Sequence, residues 1–397
     1  MMRQRLVALG IAIVGVVGVV AFGASASSSA SSSAPITLMT MGPISSPEFS
    51  EPSIPVGAQI AVNQINSAGG VNGHKLKLIS CNDQNTPVGA QQCTREAITD
   101  KVAALVGGLE DYDLQVEPLL VQAGIPWVGL VTPDDYHSSN LFLFGGEGAD
   151  VFAASAMALA EHGCKHIAAI ASASAGTQNV NLEALDAGIH AEGLTVAGNF
   201  TVPATAVDFT STVAAVRAAG ADCIASGTSP VQSGPLITAI SSGAPLKVGV
   251  AVGGLPPTVL KQLGTVANGT LATSGFLPPT STVPAVQKLV GEVAKYPNVP
   301  YDQFATTGYA SVEIVAHVMK GLKTVTASTL MAALPKVKKF STGIGPVVTF
   351  GKSSGVPGFS RLFDYTDYVY VASNGVYDLA SPKDINALPA LKLVPGL

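Results

Sequence analysis

The sequence predicts an α/β protein with two lobes, each built around a parallel sheet. Two series of alternating strands and helices, residues 36–144 and 150–275, carry this prediction, because a repeated β-α order places parallel strands between layers of helices. Each series has the length of an ordinary domain, whereas the 397-residue chain is too long for one. The last third shows no third series, so we expect it to return to the first lobe and then cross back.

The first series begins with a strand at 36–41 and a helix that ends at Ala68 before Gly69 and Gly70. Small and branched apolar residues repeat along that helix at the spacing of one face, namely Ala58, Ala61, Val62 and Ile65. The other elements predicted here are strand 75–81, a helix from Thr86-Pro87, strand 103–106, helix 117–123 with Pro118 in its first turn, and strands 125–131 and 141–144.

The second series repeats the pattern. Its predicted helices are 150–162, 178–191, 211–219 and 231–241, and its predicted strands are 167–172, 194–197, 223–226 and 246–250. The last third is predicted to hold strand 276–279, helices 284–296, 301–322 and 326–334, strand 345–351 and a hairpin over 361–380 that turns at Ser373-Asn-Gly.

Composition restricts the partners. Lys and Arg number 21 against 26 Asp and Glu, a formal charge of −5, so the chain offers no basic footprint for nucleic acid or an anionic membrane. Hydrophobic residues make up 47% of the chain, which excludes intrinsic disorder for its body. After residue 24, no apolar stretch has the length that a membrane span needs.

The N-terminus has the pattern of an export signal. Met1–Arg5 is basic, Leu6–Ala24 is apolar and uncharged, and Ala24-Ser25-Ala26 supplies the small residues of a cleavage site. We therefore expect a signal peptide at 1–26, a Ser-rich linker at 27–35 and an exported product, periplasmic or extracellular. An uncleaved membrane anchor is the alternative, and the chain would then touch the membrane through this segment alone.

Four cysteines in an exported chain predict disulfides. Cys81 ends a predicted strand and Cys93 lies on the next helix, so we expect this pair to be joined. Cys164 and Cys223 lie near the starts of two apolar strands and could bridge neighbours in a parallel sheet. The metal alternative, in which His162, Cys164 and His166 share one face of an extended segment, has no further ligands, and we expect no metal.

Several stretches resemble the type I periplasmic substrate-binding proteins of ABC importers, specifically their branched-chain amino-acid-binding (Leu/Ile/Val-binding) family. The longest is 63–78, NQINSAGGVNGHKLKL, which is similar to the family's INAAGGVNGRKLEL. Shorter ones follow in the same order, namely 81–87 (CNDQNTP), 106–108 (VGG), 123–128 (AGIPWV), 208–210 (DFT), 218–222 (AAGAD) and 307–312 (TGYASV).

This resemblance implies two Rossmann-like lobes, joined by a three-crossover hinge, that close around a small ligand. It implies lobe I at 36–144 plus 277–342 and lobe II at 145–276 plus 343–397. The partners implied are a small-molecule ligand, an amino acid or related compound, and the permease of an ABC importer. We expect a monomer that needs no cofactor and is not an enzyme.

Loops at strand ends supply the ligand contacts in such folds. The candidates in the first lobe are Ser45, Ser46, Leu109, Glu110, Asp111, Val131 and Thr132. Those in the second lobe are Ser172, Ser174, Thr177, Thr228, Ser229 and Gly253, and Phe276 near a crossover could wall the pocket. The alternative roles are helix capping for the hydroxyls, solvated loop acids for Glu110 and Asp111, and plain core for Phe276.

The second lobe departs from the family pattern. Residues 173–176 (ASAG) stand where relatives often carry an aromatic, and Val252-Gly-Gly stands where they often carry an acid. The usual partner of a ligand ammonium is therefore missing unless Glu110 or Asp111 replaces it. Otherwise the ligand is an uncharged or apolar molecule rather than an amino acid.

Other functions have weaker support. Residues 351–355 spell G-x-S-x-G, but Val356-Pro-Gly follows where a nucleophile elbow needs a helix. A secreted hydrolase is therefore a distant alternative to solute binding. A ligand sensor of a signalling receptor is a closer one, because sensing and transport could share every residue named above.

Overall fold

We describe residues 33–46, 50–132, 135–146, 148–173 and 178–395 in a computed structural model, without the side chains of residues 33, 178 and 179. The strands are β1 (Ser33–Gly42), β2 (His74–Asn82), β3 (Ala104–Val106), β4 (Trp127–Val128), β5 (Leu141–Phe142), β6 (Ile167–Ala173), β7 (Val196–Pro203), β8 (Cys223–Gly227), β9 (Lys247–Ala251), β10 (Leu271–Ser274), β11 (Phe340–Ser341), β12 (Val347–Val348), β13 (Thr366–Ser373), β14 (Val376–Leu379) and β15 (Ile385–Asn386).

The helices cover both faces of the sheets. They are α1 (Ile54–Ser67), α2 (Pro87–Thr99), α3 (Asp113–Ala123), α4 (Ala149–Glu161), α5 (Gln178–Ala191), α6 (Thr210–Ala218), α7 (Pro230–Ser241), α8 (Pro257–Leu263), α9 (Pro284–Val293), α10 (Gln303–Lys320), α11 (Ala327–Ala333) and α12 (Leu388–Leu391). Within the described ranges, every helix is too short or too polar to cross a membrane.

Two parallel sheets confirm the predicted fold class. The first has the order β2-β1-β3-β4-β5, and the second contains the same order as β7-β6-β8-β9-β10. In both, all pairings within the five strands are parallel. The second sheet is then extended by antiparallel strands, with β13 beside β10 and both β14 and β15 beside β13. The predicted hairpin at 361–380 is thus the pair β13 and β14.

The core of the first lobe depends on helices from the last third of the chain, as predicted. Helix α10 packs against α1 so closely that a Cβ on Gly57 would lie 1.7 Å from the carbonyl oxygen of Ala305. The side chains of α9 and α10, including Val286, Val312 and Met319, join those of β1 and α1 in one apolar cluster. The return of the chain therefore completes the first lobe.

Several predicted elements are wrong in position or length. The strand predicted at 276–279 is absent, because Pro278 and Pro279 cannot donate to a sheet, and Leu271–Ser274 is the strand instead. The strand predicted at 194–197 runs through Val196–Pro203. The strands predicted at 125–131 and 345–351 shrink to the two-residue pairs β4 and β12.

Pro118 lies inside a helix rather than in its first turn, which corrects another prediction. Helix α3 begins four residues earlier than expected, at Asp113, whose carboxylate accepts the backbone N–H of Leu114 at 2.7 Å. An acid at this end of a helix is favourable, because the free N–H groups there carry partial positive charge. A proline in the second turn removes only one backbone donor, so the helix continues past it.

Two of the segments that connect the sheets pass in direct contact. A Cβ on Gly275 would lie 2.1 Å from the carbonyl carbon of Gly145, so the backbones touch where neither residue has a side chain. The third connection follows Phe363, since Arg361 and Phe363 still hydrogen-bond the backbone of Leu143 beside the first sheet. The lobe boundaries remain a prediction, and this pairing favours a third crossing later than residue 343.

Candidate functional site

Both sheets have a topological switch point, and each defines the edge where a ligand would bind. In the order 2-1-3-4-5, the connections from the first and third strands leave toward opposite faces, which opens a crevice beyond their carboxyl ends. In the first sheet this crevice lies beyond β1 and β3, and in the second beyond β6 and β8. The candidate residues predicted from sequence follow these strands or their neighbours.

The loop after β1 is held by a side chain of β2. The backbone N–H of Ser45 donates to Asn82 Oδ1 at 3.1 Å, and Asn82 Nδ2 donates to the Ser45 carbonyl at 2.8 Å. The hydroxyl of Ser50 closes the same loop, donating to the Ser46 carbonyl and accepting its N–H, each at 2.8 Å. Ser45 is exposed and Ser46 is half-buried, so both remain candidates for ligand contact.

A separate apolar cluster occupies this edge of the first lobe, and we call it the apolar patch. It contains Ile44, Ile54, Leu109, Val131 and Phe304. Leu109 and Val131 face one another across a parallel bridge, and a backbone hydrogen bond of 3.0 Å joins Val131 to Gly108. The patch brings the loops after β1, β3 and β4 together with the start of α10. Leu109 and Val131 were predicted from sequence, whereas Ile54 and Phe304 were missed.

A buried acid and a half-buried one, Glu110 and Asp111, follow Leu109. Glu110 is fully buried, and its Oε1 accepts the backbone N–H of Tyr112 at 2.8 Å. Burial, together with the charge of Asp83, raises the pKa of Glu110 to about 9, so its carboxyl is neutral at pH 7. Burial and the charge of Asp113 also raise the pKa of Asp111, which lies beside Asn85. The predicted contact of these two acids with ligand stays a prediction.

Thr132 forms hydrogen bonds that stabilise its own loop. Its hydroxyl donates to the Asp113 carboxylate, and its carbonyl accepts the hydroxyl of Tyr136 at 3.0 Å. The backbone N–H of Asp135 reaches the same carboxylate at 3.0 Å. These bonds hold the loop after β4 against the start of α3, and burial raises the pKa of Asp113 in spite of them.

Hydroxyls line the corresponding edge of the second lobe. Thr228 Oγ1 lies 2.8 Å from Ser226 Oγ and 3.1 Å from Ser233 Oγ, and all three side chains are buried. Ser229 caps α7 in a capping box with Gln232, and Ser172 Oγ donates to the amide oxygen of the same glutamine. Capping, the alternative role, therefore holds for Ser229. Ser174 and Thr177 lie outside the described residues.

A contact between the lobes forms at Gly253. A Cβ there would lie 3.1 Å from Gln303 Oε1, and Gln303 Nε2 donates to the carbonyl of Gly146 at 2.8 Å. Gln303 begins α10 of the first lobe, so one side chain contacts the first crossover and a loop of the second lobe. Sequence reasoning missed Gln303, although Asp302 before it is a typical helix cap and accepts the N–H of Ala305.

Phe276 lies in the hinge. It is buried, packs edge-on against Phe144 with 6.5 Å between ring centroids, and its carbonyl accepts the hydroxyl of Tyr370. A cavity of about 10 Å³ beside it, also lined by Gln303, has room for about one water. Its predicted role in walling the ligand pocket stays a prediction, since core packing also accounts for its position.

Another group of acids surrounds the crossovers. Asp150, Asp364 and Asp367 are buried near one another, and neither carboxylate oxygen of Asp367 has a hydrogen-bond partner among the described residues. Burial and the charge of Asp150 raise the pKa of Asp364 to about 7. Backbone N–H groups of Gly145 and Thr366 favour its charged form, which links this carboxyl to two of the three connections.

Two disulfides use all four cysteines. Cys81 is joined to Cys93 and Cys164 to Cys223, as expected from the sequence. The second bridge connects the starts of the adjacent strands β6 and β8. Cys164 therefore has no thiolate for the metal alternative, and His162 Nδ1 lies 2.8 Å from the carbonyl of Ala158.

One cavity lies away from the switch points. It has a volume of about 530 Å³ and is lined by the Cys164–Cys223 disulfide, Lys247 and Thr270, all near the amino ends of the second lobe's strands. Ligands of open α/β sheets bind at the opposite, carboxyl ends. We therefore place the candidate site at the switch points rather than in this cavity.

Comparisons with known proteins agree with this geometry. A family model described as periplasmic binding protein matches residues 36–358. The Leu/Ile/Val-binding protein BraC3 of Rhizobium johnstonii is 24% identical over 329 residues, which cover 81% of this chain and 88% of the relative.

Solved structures share the fold at lower identity. A fatty acid ABC transporter substrate-binding protein from Thermomonospora curvata matches with a TM-score of 0.75 and 17% identity, over 91% of this chain and 95% of its own. The branched-chain amino acid transporter substrate-binding protein LivJ from Streptococcus pneumoniae, in complex with isoleucine, matches with a TM-score of 0.71 and 19% identity, over 88% and 99%. The resemblance read from the sequence is confirmed, and the chain belongs to the periplasmic binding protein family.

Proposed function

We propose that this chain captures a small molecule, an amino acid or a related compound, between its two lobes and delivers it to an ABC importer. The observation that carries the proposal is the pair of sheets with equivalent switch points, joined by three connections. Relatives named for leucine, isoleucine and valine binding, and structural neighbours named as transporter substrate-binding proteins, support it.

Closure of the lobes performs the capture in this proposal. Ligand docks first on one lobe, and rotation about the connections brings the other lobe's loops over it, since the closed form makes contacts that the open form lacks. The proposed first-lobe contacts are Ser45, Ser46, Leu109, Val131 and Thr132. The proposed second-lobe contacts are Ser172, Ser174, Thr177, Thr228, Ser229 and Gly253.

Under the same proposal, the protein is exported from the cytoplasm and does not catalyse a reaction. The segment 1–26 directs export, and the importer's permease is the partner that receives the ligand. The chemistry is reversible binding, so the chain is proposed to be a carrier without enzymatic activity.

Thermal unfolding tests capture, and uptake by cells tests delivery. A ligand that binds only the folded form raises Tm, and a hundredfold excess over Kd adds about 2.7 kcal/mol to the free energy of unfolding. We expect at least one compound in a panel of amino acids, amides and aliphatic and aromatic acids to raise Tm. Deleting the gene should then abolish uptake of that compound. A panel without any shift would contradict the proposal.

A further inference from the structure

The chemistry of the two switch points narrows the class of ligand. We propose that the ligand has an apolar body and a polar end without an ammonium group, such as a carboxylic acid or its amide, rather than an amino acid. This inference rests on the proposed function, since it concerns the ligand of that same site. Three features of the described residues carry it: the apolar patch, the burial of the nearby acids, and the neutral loops of the second lobe.

The apolar patch suits a hydrocarbon group. Its members come from four segments that meet at the carboxyl ends of β1, β3 and β4, with Leu109 and Phe304 packed beneath the half-buried Ile44 and Val131. An alkyl or aryl group placed on Ile44 and Val131 would leave water and gain contacts. An ammonium group placed there would lose its hydration without a partner, which is costly.

The acids near the patch are buried among other acids. Glu110 lies beside Asp83, and Asp111 beside Asp113. Glu51 is buried beside Asp302, whose carboxylate caps α10. Burial and the charge of Asp83 keep Glu110 protonated at pH 7, whereas the pKa values of Asp83 and Asp302, each raised to about 6, leave those two carboxyls mostly charged. All three are buried and accept backbone N–H groups of their own loops, from Tyr112, Asn85 and Ala305, so they are not presented to a ligand ammonium. Glu48, Asp134 and Glu147 lie outside the described residues, so the experiment below includes amino acids directly.

The second lobe offers hydroxyls and backbone groups without charge. The loops after β8 and β9 span residues 228–229 and 252–256, and their sequences contain no acidic or basic residue. Thr228, Ser172 and Ser229 are hydrogen-bonded to neutral side chains. Hydroxyls and free backbone N–H groups can bind a carboxylate or an amide, whereas an ammonium would find no opposite charge here.

Matched ligand pairs test the inference by calorimetry on the mature protein. The two pairs, leucine with 4-methylpentanoic acid and phenylalanine with 3-phenylpropanoic acid, each differ only at the amino group, and 4-methylpentanamide tests the amide. We expect an acid or amide to bind at least about 100-fold tighter than its amino acid, because the site would leave the ammonium unpaired. An amino acid that binds as tightly as its partner, or tighter, overturns the inference while the proposed function stands. If neither member of any pair binds, the inference fails for these ligands and the proposed function loses its support too.

Two variants and one control variant connect the result to the named residues. Val131→Ala should weaken binding of the best acid or amide about tenfold by removing apolar contact, whereas Val88→Ala, at a position 72% exposed on α2 of the same lobe, should leave it within twofold. Glu110→Gln should also leave it within twofold. A loss of tenfold or more in Glu110→Gln would instead make that carboxyl a ligand contact and overturn the inference.

Discussion

In the first lobe, the loops at the switch point hold an apolar patch and buried or half-buried acids that, within the described residues, form no ion pair with lysine or arginine. In the second lobe, the corresponding loops hold hydroxyls that are bonded to one another and to Gln232. The two sheets have the same strand order, so the topology determines where these loops lie but not which residue types they contain. The comparison teaches that one strand order can hold apolar side chains backed by buried acids at one edge and neutral hydroxyls at the other.

Removing a disulfide should give the largest loss of stability among these variants, and the two lobes can be compared because each contains one disulfide. Cys164 and Cys223 are 59 residues apart and Cys81 and Cys93 are 12 apart, so the second-lobe bridge restricts a longer loop of the unfolded chain. Cys164→Ser with Cys223→Ser should lower the free energy of unfolding by about 4 kcal/mol, and Cys81→Ser with Cys93→Ser by about 3 kcal/mol. Urea unfolding of both double variants measures this, and a larger loss in the first lobe would contradict it.

The buried acids of the first lobe predict that the free energy of unfolding depends on pH. Because the folded-state pKa of Glu110 is raised from 4.5 to about 9, the stabilisation of its neutral form is present at low pH and is lost as pH rises through that range. Glu110→Gln should remove this dependence and raise the free energy of unfolding at pH 8 by roughly 2 kcal/mol. Urea titrations between pH 5 and 9 would show it.

An exposed acid of the second lobe is the control. Asp208 is exposed, and its carboxylate accepts the backbone N–H of Thr210 at 2.8 Å, an acceptor that Asp208→Asn retains. We expect Asp208→Asn to leave the slope of stability against pH unchanged. Equal slopes for Glu110→Gln and the unmodified protein would mean that Glu110 is charged in the folded state.

The hydroxyl network of the second lobe predicts the smallest effect. Thr228→Val removes a buried hydroxyl that lies between Ser226 and Ser233, and should lower the free energy of unfolding by about 1 kcal/mol. Thr238→Val is the control, since Thr238 is exposed on α7 and its hydroxyl donates to the Gly234 carbonyl within the same helix. Thermal unfolding compares them, and equal shifts in Tm would show that the network adds nothing beyond a helix-surface hydroxyl.

Much of the fold could be predicted from the sequence, because alternation of apolar runs with amphipathic segments is a local property. Element ends were less predictable, as at 276–279, where an apolar run suggested a strand and Pro278 and Pro279 prevent one. Of the candidate site, Leu109 and Val131 could be named because they follow strands. Phe304 and Ile54 could not, since they begin helices and join the patch only through packing of α1 against α10.

By itself, the sequence determined the α/β class, the two series of elements, the family and the local Cys81–Cys93 pairing, because these depend on periodicity, motif order and short separations along the chain. Only the tertiary structure decided which loops meet at each switch point, that Glu110 is buried beside Asp83, and that Gln303 connects the first crossover with Gly253. The physical reason is that burial and charge proximity depend on residues far apart in sequence, and a residue's type does not reveal which neighbours exclude water from it.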